Sequence, residues 1–315
     1  MIGSVYLRRG LSAMARAWRA NTMAGHPGAA LVAGCCFADV HGDLDARVYS
    51  GIEGELDRII AGEELWFDPD AVGMTISELF EPFPDAPSHS AATDAIADAL
   101  SGSIGALRQS GHNVIFAALA IKALREHPQH ATSEIATGIC RLIEGFQGGN
   151  PGRLYFGEER GWIGGDEVPP PDGDTPLYAD EQAMVDAVAD ELIDTASENR
   201  RGCGGLWHIV NHAAALVELS RLGYGALARR GYAAHQHHLQ LWGVLPDLTA
   251  ELGPMVCAEH DPRTPEYWAT GELRRDSALL THRIKTLYGF HTLTGLVDSA
   301  TKRERAEGAL LYLMA

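Results

Sequence analysis

Two histidines at the start of a long apolar segment have a spacing that could support chemistry. His208 and His212 lie four residues apart, so a helix would place both rings on one face. Two neutral imidazoles at this spacing can bind a transition metal. The segment lacks the glutamate of an H-E-x-x-H motif, which argues against a zinc protease. Trp207 precedes the pair, Asn211 lies between its two members, and both are predicted to contact a bound cofactor.

A histidine that follows a short break and starts an apolar segment occurs four times in the chain. These histidines are His26, His112, His208 and His282. A second helical segment begins 18 to 20 residues after each of them, and this near-constant offset indicates an internal repeat. The repeat units span about 1–88, 89–176, 177–264 and 265–315.

The repeated histidines could point into one cavity if the units close on each other. We predict a divalent transition metal there, Fe or Zn, because neutral imidazoles suit both. The predicted metal ligands are His26, His112, His208, His212 and His282. The alternative is that each histidine caps its helix or joins a satisfied hydrogen-bond network.

Catalysis is predicted for residues near the same segments, with His212 as the best single candidate because it is peculiar to the third unit. The predicted catalytic residues are His212, His282, Tyr288 and His291. Tyr288 could donate a proton to a bound oxygen, or it could be a core tyrosine with a satisfied hydroxyl. A further group, His235, His237 and His238, is predicted to be surface or inter-helix polar residues.

Helical periodicity runs through most of the chain, and no segment reads as a confident strand. The fold class is therefore all-α, in a single domain of residues 1–315, arranged as an α/α toroid or an open helical-repeat array. Twelve helices are predicted: 4–22, 29–40, 44–61, 90–108, 112–126, 132–146, 180–197, 208–222, 226–242, 265–280, 282–297 and 302–314.

Three long loops, at 63–88, 147–176 and 243–264, follow the second helix of a unit. The first carries Trp66, Phe67, Phe80 and Phe83, which is too aromatic for a plain linker. We expect it to pack as a lid over a cavity or against the outside of the domain.

Composition narrows the possible partners. The net charge of -17 and the scattered basic residues argue against nucleic-acid binding. The five cysteines do not form a disulfide pattern, and arginines interrupt the N-terminal apolar segment where a signal peptide would lie. No apolar run is long enough for a membrane span. These features favour a cytoplasmic protein with a small-molecule substrate, and a homo-oligomer is compatible with them.

Segment 211–223, which begins Asn211-His212 and ends Leu222-Gly223, resembles a helix of the questin oxidase-like family. His282 with Lys285, and His291 after Phe290, also resemble histidine-bearing helices of that family. The resemblance implies a helical fold, and some members are oxygenases that cleave polyketide-derived aromatic ketones. It also implies that His212, His282 and His291 belong to the site.

The function predicted from these features is an oxidoreductase or oxygenase. It would act on a small apolar or aromatic molecule in a central, histidine-lined cavity. One alternative is a metal-dependent or acid/base lyase or hydrolase on the same scaffold. Another is a non-catalytic helical-repeat protein that binds a partner, with structural histidines.

Overall fold

The computed structural model describes residues 2–169, 177–269 and 279–315. Almost all of its regular structure is helical, which confirms the all-α prediction. The α-helices are α1 (Ser4–Ala17), α2 (Gly25–Val40), α3 (Ala46–Ile60), α4 (Pro69–Val72), α5 (Ile76–Phe80), α6 (Ala92–Ser101), α7 (His112–Glu126), α8 (Ser133–Glu144), α9 (Glu181–Thr195), α10 (Gly205–Leu219), α11 (Gly225–Arg230), α12 (Tyr232–Gly243), α13 (Thr249–Leu252), α14 (Pro265–Trp268), α15 (Leu280–Thr294) and α16 (Ala300–Met314).

The four helices that carry the repeated histidines, α2, α7, α10 and α15, form the centre of the molecule. We call them the inner helices. Helix α2 packs on α7, α7 on α10, α10 on α15, and α15 on α2, so each inner helix contacts two others. They are buried on nearly every side, which explains why their sequences are apolar all round rather than on one stripe.

The outer helices cover this group with amphipathic faces. Helix α1 packs on α2 and α8, α6 packs on α7 and α8, and α16 packs on α9 and α15. Helix α3 buries Ile52, Leu56 and Ile59 against the inner helices and exposes its charged face. No helix in the described ranges has the length and apolar character needed to cross a membrane.

Several expectations about secondary structure were wrong. A short antiparallel hairpin, β1 (Arg153–Tyr155) and β2 (Trp162–Gly164), lies in the loop predicted at 147–176. Strands of three residues are too short to show a period of two. The helix predicted at 226–242 is divided between α11 and α12, after a π-helical turn at Ser220–Tyr224 in which Gly223 has a φ of 94°.

The helix predicted at 265–280 is present only as α14 in the described part, and residues 270–278 lie outside it. The helix predicted at 90–108 ends at Ser101, before Gly102 and Gly105, and the helix predicted at 4–22 ends at Ala17. The other predicted helices lie within four residues of their expected ends. Helix α7 begins and ends at the predicted residues, and Thr132 accepts a hydrogen bond from the amide of Ile135 as the cap of α8.

Two glycines bring α1 and α2 into close contact. A Cβ atom on Gly28 would lie 2.6 Å from the carbonyl oxygen of Gly10 and 2.7 Å from the amide nitrogen of Met14. Real Cβ atoms do not approach backbone this closely, so α2 could not keep its position with a larger residue. This contact matters for the centre of the molecule because the first turn of α2 holds His26.

We expect Gly28→Ala to lower the free energy of unfolding by about 3 kcal/mol, because the added methyl group must push two helices apart. The matched control is Gly308→Ala in α16, where a Cβ atom meets nothing within 4 Å. That change should raise stability by up to about 1 kcal/mol through helix propensity. Urea titrations measure both. Equal effects of the two substitutions would contradict the close packing of α1 and α2.

Candidate metal centre

Four of the five predicted metal ligands meet at one end of the inner helices. One ring nitrogen from each of His26, His112, His208 and His282 lies within 4.8 Å of the others. All four residues are buried, with 1% to 7% of their surface exposed. Ring centroids are 4.5 Å apart for His112 and His208 and 4.7 Å apart for His26 and His282. The four rings therefore lie close enough for one ion to contact a nitrogen of each.

Breaks in the chain before α7 and α10 hold two of these histidines. Ser110 and Gly111 have φ values of 59° and 83° before His112. Cys203 and Gly204 have φ values of 45° and 73° before His208. Such left-handed conformations are unfavourable for serine and cysteine and occur often at functional sites.

The same breaks decide which nitrogens of the two rings carry protons. His112 Nδ1 bonds the carbonyl oxygen of Gln109, and His208 Nδ1 lies 2.5 Å from the carbonyl oxygen of Gly204. A carbonyl only accepts hydrogen bonds, so each Nδ1 is the protonated nitrogen. In each neutral ring, Nε2 then carries a lone pair.

These two Nε2 atoms lie 2.9 Å apart. Two lone pairs at this distance repel each other unless a proton or a metal cation lies between them. Burial, followed by the nearby Lys285 amine, lowers the pKa of His112 to about 3, and burial also lowers the pKa of His208 well below its ordinary value. A proton is therefore disfavoured at neutral pH, and the pair matches a metal ion better.

His26 has a different neighbour, the buried amine of Lys285. Lys285 Nζ lies 2.5 Å from His26 Nδ1. Burial lowers the pKa of Lys285 to about 7, so a neutral amine is accessible near neutral pH and can accept the Nδ1 proton of His26. The fourth ring differs again, because His282 Nδ1 has no hydrogen-bond partner in the described part of the chain.

A short segment, 62–67, packs on two of the rings, those of His26 and His282, and we call it the strap. The Trp66 indole stacks on His26, with centroids 4.6 Å apart and planes 21° apart. The carboxylate of Glu64 accepts hydrogen bonds from the amides of Leu280 and Thr281, at 2.6 and 2.9 Å. The loop predicted as a lid therefore packs directly on the histidines through Trp66.

Sequence reasoning did not assign Lys285, Trp66 or Glu64 to the site. Lys285 had a readable signal, because it follows His282 by three residues and so shares its helix face. Trp66 was noted only as one of several loop aromatics. Glu64 had no signal at all, since its contact with the start of α15 joins residues more than two hundred positions apart.

His212, predicted as both a ligand and the best catalytic residue, lies outside the four-histidine cluster. Its ring packs 5.1 Å from that of His235, and its Nδ1 lies 3.4 Å from His238 Nδ1. A helical spacing of four puts His212 about 6 Å further along the axis than His208. The shared face therefore does not bring both rings to the end of the helix where the other ligands meet.

His235 and His238 are fully buried between helices rather than at the surface, whereas His237 is half-buried. His238 Nε2 donates to the carbonyl oxygen of Cys203 at 2.8 Å, and His235 Nε2 donates to that of Ile209 at 3.1 Å. With His212 they form a second, hydrogen-bonded histidine group beside the first.

The other predicted site residues are spread along the inner helices. Trp207 Nε1 donates to the carbonyl oxygen of Leu313 at 2.9 Å, so its indole packs on α16. His291 packs against His41 and Phe37, with centroids 5.2 and 5.8 Å apart. Asn211 and Tyr288 are buried along the axis of the inner helices, where they line one small cavity.

The N-termini of all four inner helices meet at the histidines, which are among the first four residues of each helix. The helix dipoles therefore oppose a cation there, by about 0.3–1 kcal/mol for each helix. Coordination by several imidazoles is far stronger, about 10–16 kcal/mol for structural zinc sites. The dipoles mainly add to the cost of protonating the rings, and the Glu64 carboxylate offsets part of their field.

Comparisons with protein-family profiles, with curated proteins and with solved structures found no match to this chain. The resemblance to the questin oxidase-like family therefore stays a prediction.

The buried second group predicts a pH dependence. Burial lowers the pKa of His238 to about 4, so below about pH 6.5 the unfolded chain binds a proton that the folded chain does not. Stability should fall as pH drops from about 6.5 to about 4, by up to about 1.4 kcal/mol per pH unit from this residue.

We expect His238→Gln to flatten that decline, while its amide keeps a donor for the Cys203 carbonyl. Urea titrations of metal-free protein from pH 8 to pH 4.5 measure it. At pH 8 both proteins are uncharged at this position, so the difference between their free energies of unfolding there gives the packing cost of the substitution. If the free energies of unfolding of the two proteins fall in parallel from pH 8 to pH 4.5, His238 is not a neutral buried histidine in the folded protein.

Proposed function

We propose that this protein is a transition-metal-dependent oxidoreductase whose metal is held by His26, His112, His208 and His282. One observation carries the proposal: the Nε2 atoms of His112 and His208 face each other at 2.9 Å while their Nδ1 protons are held by backbone carbonyls. Fixing the tautomer of a ligand through its second nitrogen is the usual arrangement around protein-bound metals.

The distances between the four nitrogens support this assignment. Nitrogen ligands lie about 2.0–2.1 Å from zinc, so four of them around one ion are about 3.4 Å apart in a tetrahedron. The present nitrogens lie within 4.8 Å of one another. Small rotations of the rings would therefore be enough to surround an ion.

The ligand type favours redox chemistry over hydrolysis. Catalytic zinc keeps one open position beside three protein ligands, so four histidines would close a tetrahedral zinc and leave no place for a reactive water. Iron takes up to six ligands and would keep two positions free for a reactant. The four imidazoles are neutral and leave the charge of the ion uncompensated, which favours its reduced state. The lyase or hydrolase alternative is therefore the weaker one.

We expect the organic substrate to reach the metal at the strap. Trp66 covers His26 and His282, and it belongs to a loop, so it can move without breaking an inner helix. An apolar or aromatic molecule that displaces the indole would meet apolar and imidazole surface in its place. This agrees with the small apolar or aromatic substrate expected from the sequence.

Purified protein should contain one transition metal ion per chain, with iron expected for the oxidoreductase. His112→Gln and His208→Gln should each lower metal content at least tenfold. Losing one of four ligands weakens metal binding more than losing a residue that only hydrogen-bonds a ligand, and the latter already lowers affinity about 10–100-fold. His237→Gln is the control, since His237 belongs to neither buried group. Mass spectrometry of metals measures the content, and far-ultraviolet circular dichroism checks folding. Folded wild-type protein that binds no metal would overturn the centre.

The iron-loaded protein should consume dioxygen when given a small aromatic ketone, and His208→Gln should abolish that consumption. An oxygen electrode measures the rate, and product analysis identifies the oxidised compound. The contrary outcome is a protein that holds one zinc ion per chain and consumes no oxygen after the zinc is exchanged for iron. That outcome would make the centre structural rather than catalytic.

A further inference from the structure

A small cavity lies along the axis of the inner helices, beyond the four histidines. Its volume is about 20 Å³, which is room for about one water-sized molecule. Three of the four inner helices line it, at positions 115–122 of α7, 211–218 of α10 and 285–289 of α15.

The cavity is in line with the histidines by helical register. On α10, the lining residues Asn211, Ala214 and Glu218 follow His208 at intervals of three or four. Ile115 and Lys285 each follow a site histidine by three residues, on α7 and α15. Residues at these intervals share one helix face. The face that presents each histidine therefore continues as a wall of the cavity.

The walls define the class of molecule that fits. Five of the eleven lining residues have apolar side chains, namely Ile115, Ala118, Leu119, Ala214 and Ala215. A buried water needs two to four polar partners. The cavity also has polar lining groups, but most have partners: Lys122 pairs with Glu218, Asn211 donates to Thr286 Oγ1, and Lys285 contacts His26. Among the lining side chains, the Tyr288 hydroxyl is the one left without a hydrogen-bond partner in the described ranges, so a water here would have one free partner. An apolar diatomic molecule suits walls of this kind better than water.

The two ends of the inner helices, on either side of this cavity, are closed by different side chains. At the histidine end, the strap covers the rings with Trp66. At the other end, Lys122 lies 3.6 Å from the Glu218 carboxylate and 2.7 Å from that of Glu126. Arg221 contacts Glu218 at 3.2 Å from a more exposed position. A small uncharged molecule can pass such ion pairs through side-chain motion, whereas an organic substrate cannot.

We propose that the axial cavity is a binding site for dioxygen, which reaches the four-histidine centre from the Lys122–Glu218 end. Binding in the cavity needs no metal. The delivery of dioxygen to the centre rests on the proposed function. Organic substrate and dioxygen would then approach the centre from opposite ends of the inner helices.

The test uses metal-free protein with ¹³C-labelled alanine methyl groups, under a modest pressure of dioxygen. Paramagnetic relaxation of the Ala118, Ala214 and Ala215 methyls should exceed several-fold that of equally buried alanines in α1, such as Ala13 and Ala17. Ala214→Leu fills the cavity and should remove the excess at Ala118. Ala118→Val is the second variant, with a smaller added volume, should the first not fold. Ala214→Gly is the matched control and should keep the excess.

Uniform relaxation across the buried alanines, or nuclear Overhauser contacts showing a long-lived water in the cavity, would overturn the binding site. In iron-loaded protein, Ala214→Leu should slow oxidation of the ferrous ion by dioxygen several-fold at unchanged iron content. Oxidation at the wild-type rate would overturn the route. Protein that binds no metal but shows the relaxation excess would overturn the proposed function and leave the dioxygen site in place.

Discussion

Two imidazole lone pairs facing each other inside a protein are the constraint around which this structure is arranged. His112 and His208 cannot turn their Nε2 atoms apart without losing the carbonyl contacts of their Nδ1 atoms. Burial disfavours the proton that would otherwise join them. An arrangement with this cost persists only when the surrounding structure holds it or when a cation relieves it.

Contacts elsewhere in the fold hold the histidine-bearing helices in this arrangement. Positive-φ breaks set the first turns of α7 and α10, and the Gly10–Gly28 contact sets the position of α2. The Glu64 carboxylate satisfies the first amides of α15. Each device acts at the N-terminus of an inner helix or along its length. Together they explain why the histidines meet at one end of the group.

The second histidine group is a useful contrast. His212, His235 and His238 are as deeply buried as the first group. Two of them, however, donate to backbone carbonyls. His212 Nδ1 approaches His238 Nδ1, a nitrogen that the Cys203 contact leaves as an acceptor. His235 Nδ1 contacts the Tyr178 hydroxyl, so every ring nitrogen of this group except His212 Nε2 has a partner among the described residues. Burial is therefore the same in the two groups, and they differ in how their ring nitrogens are partnered.

The sequence by itself determined the all-α fold class, most of the long helices and the recurrence of a histidine at the start of four of them. Apolar periodicity and break residues placed α7 at its observed ends, and the constant offset singled out His26, His112, His208 and His282, because both signals depend only on near neighbours in the chain. The tertiary structure alone decided that these four meet while His212 does not, and that Glu64, Trp66 and Lys285 complete the site. Those contacts join residues far apart in the chain. Their geometry depends on how the inner helices rotate and slide against one another, which no local pattern encodes.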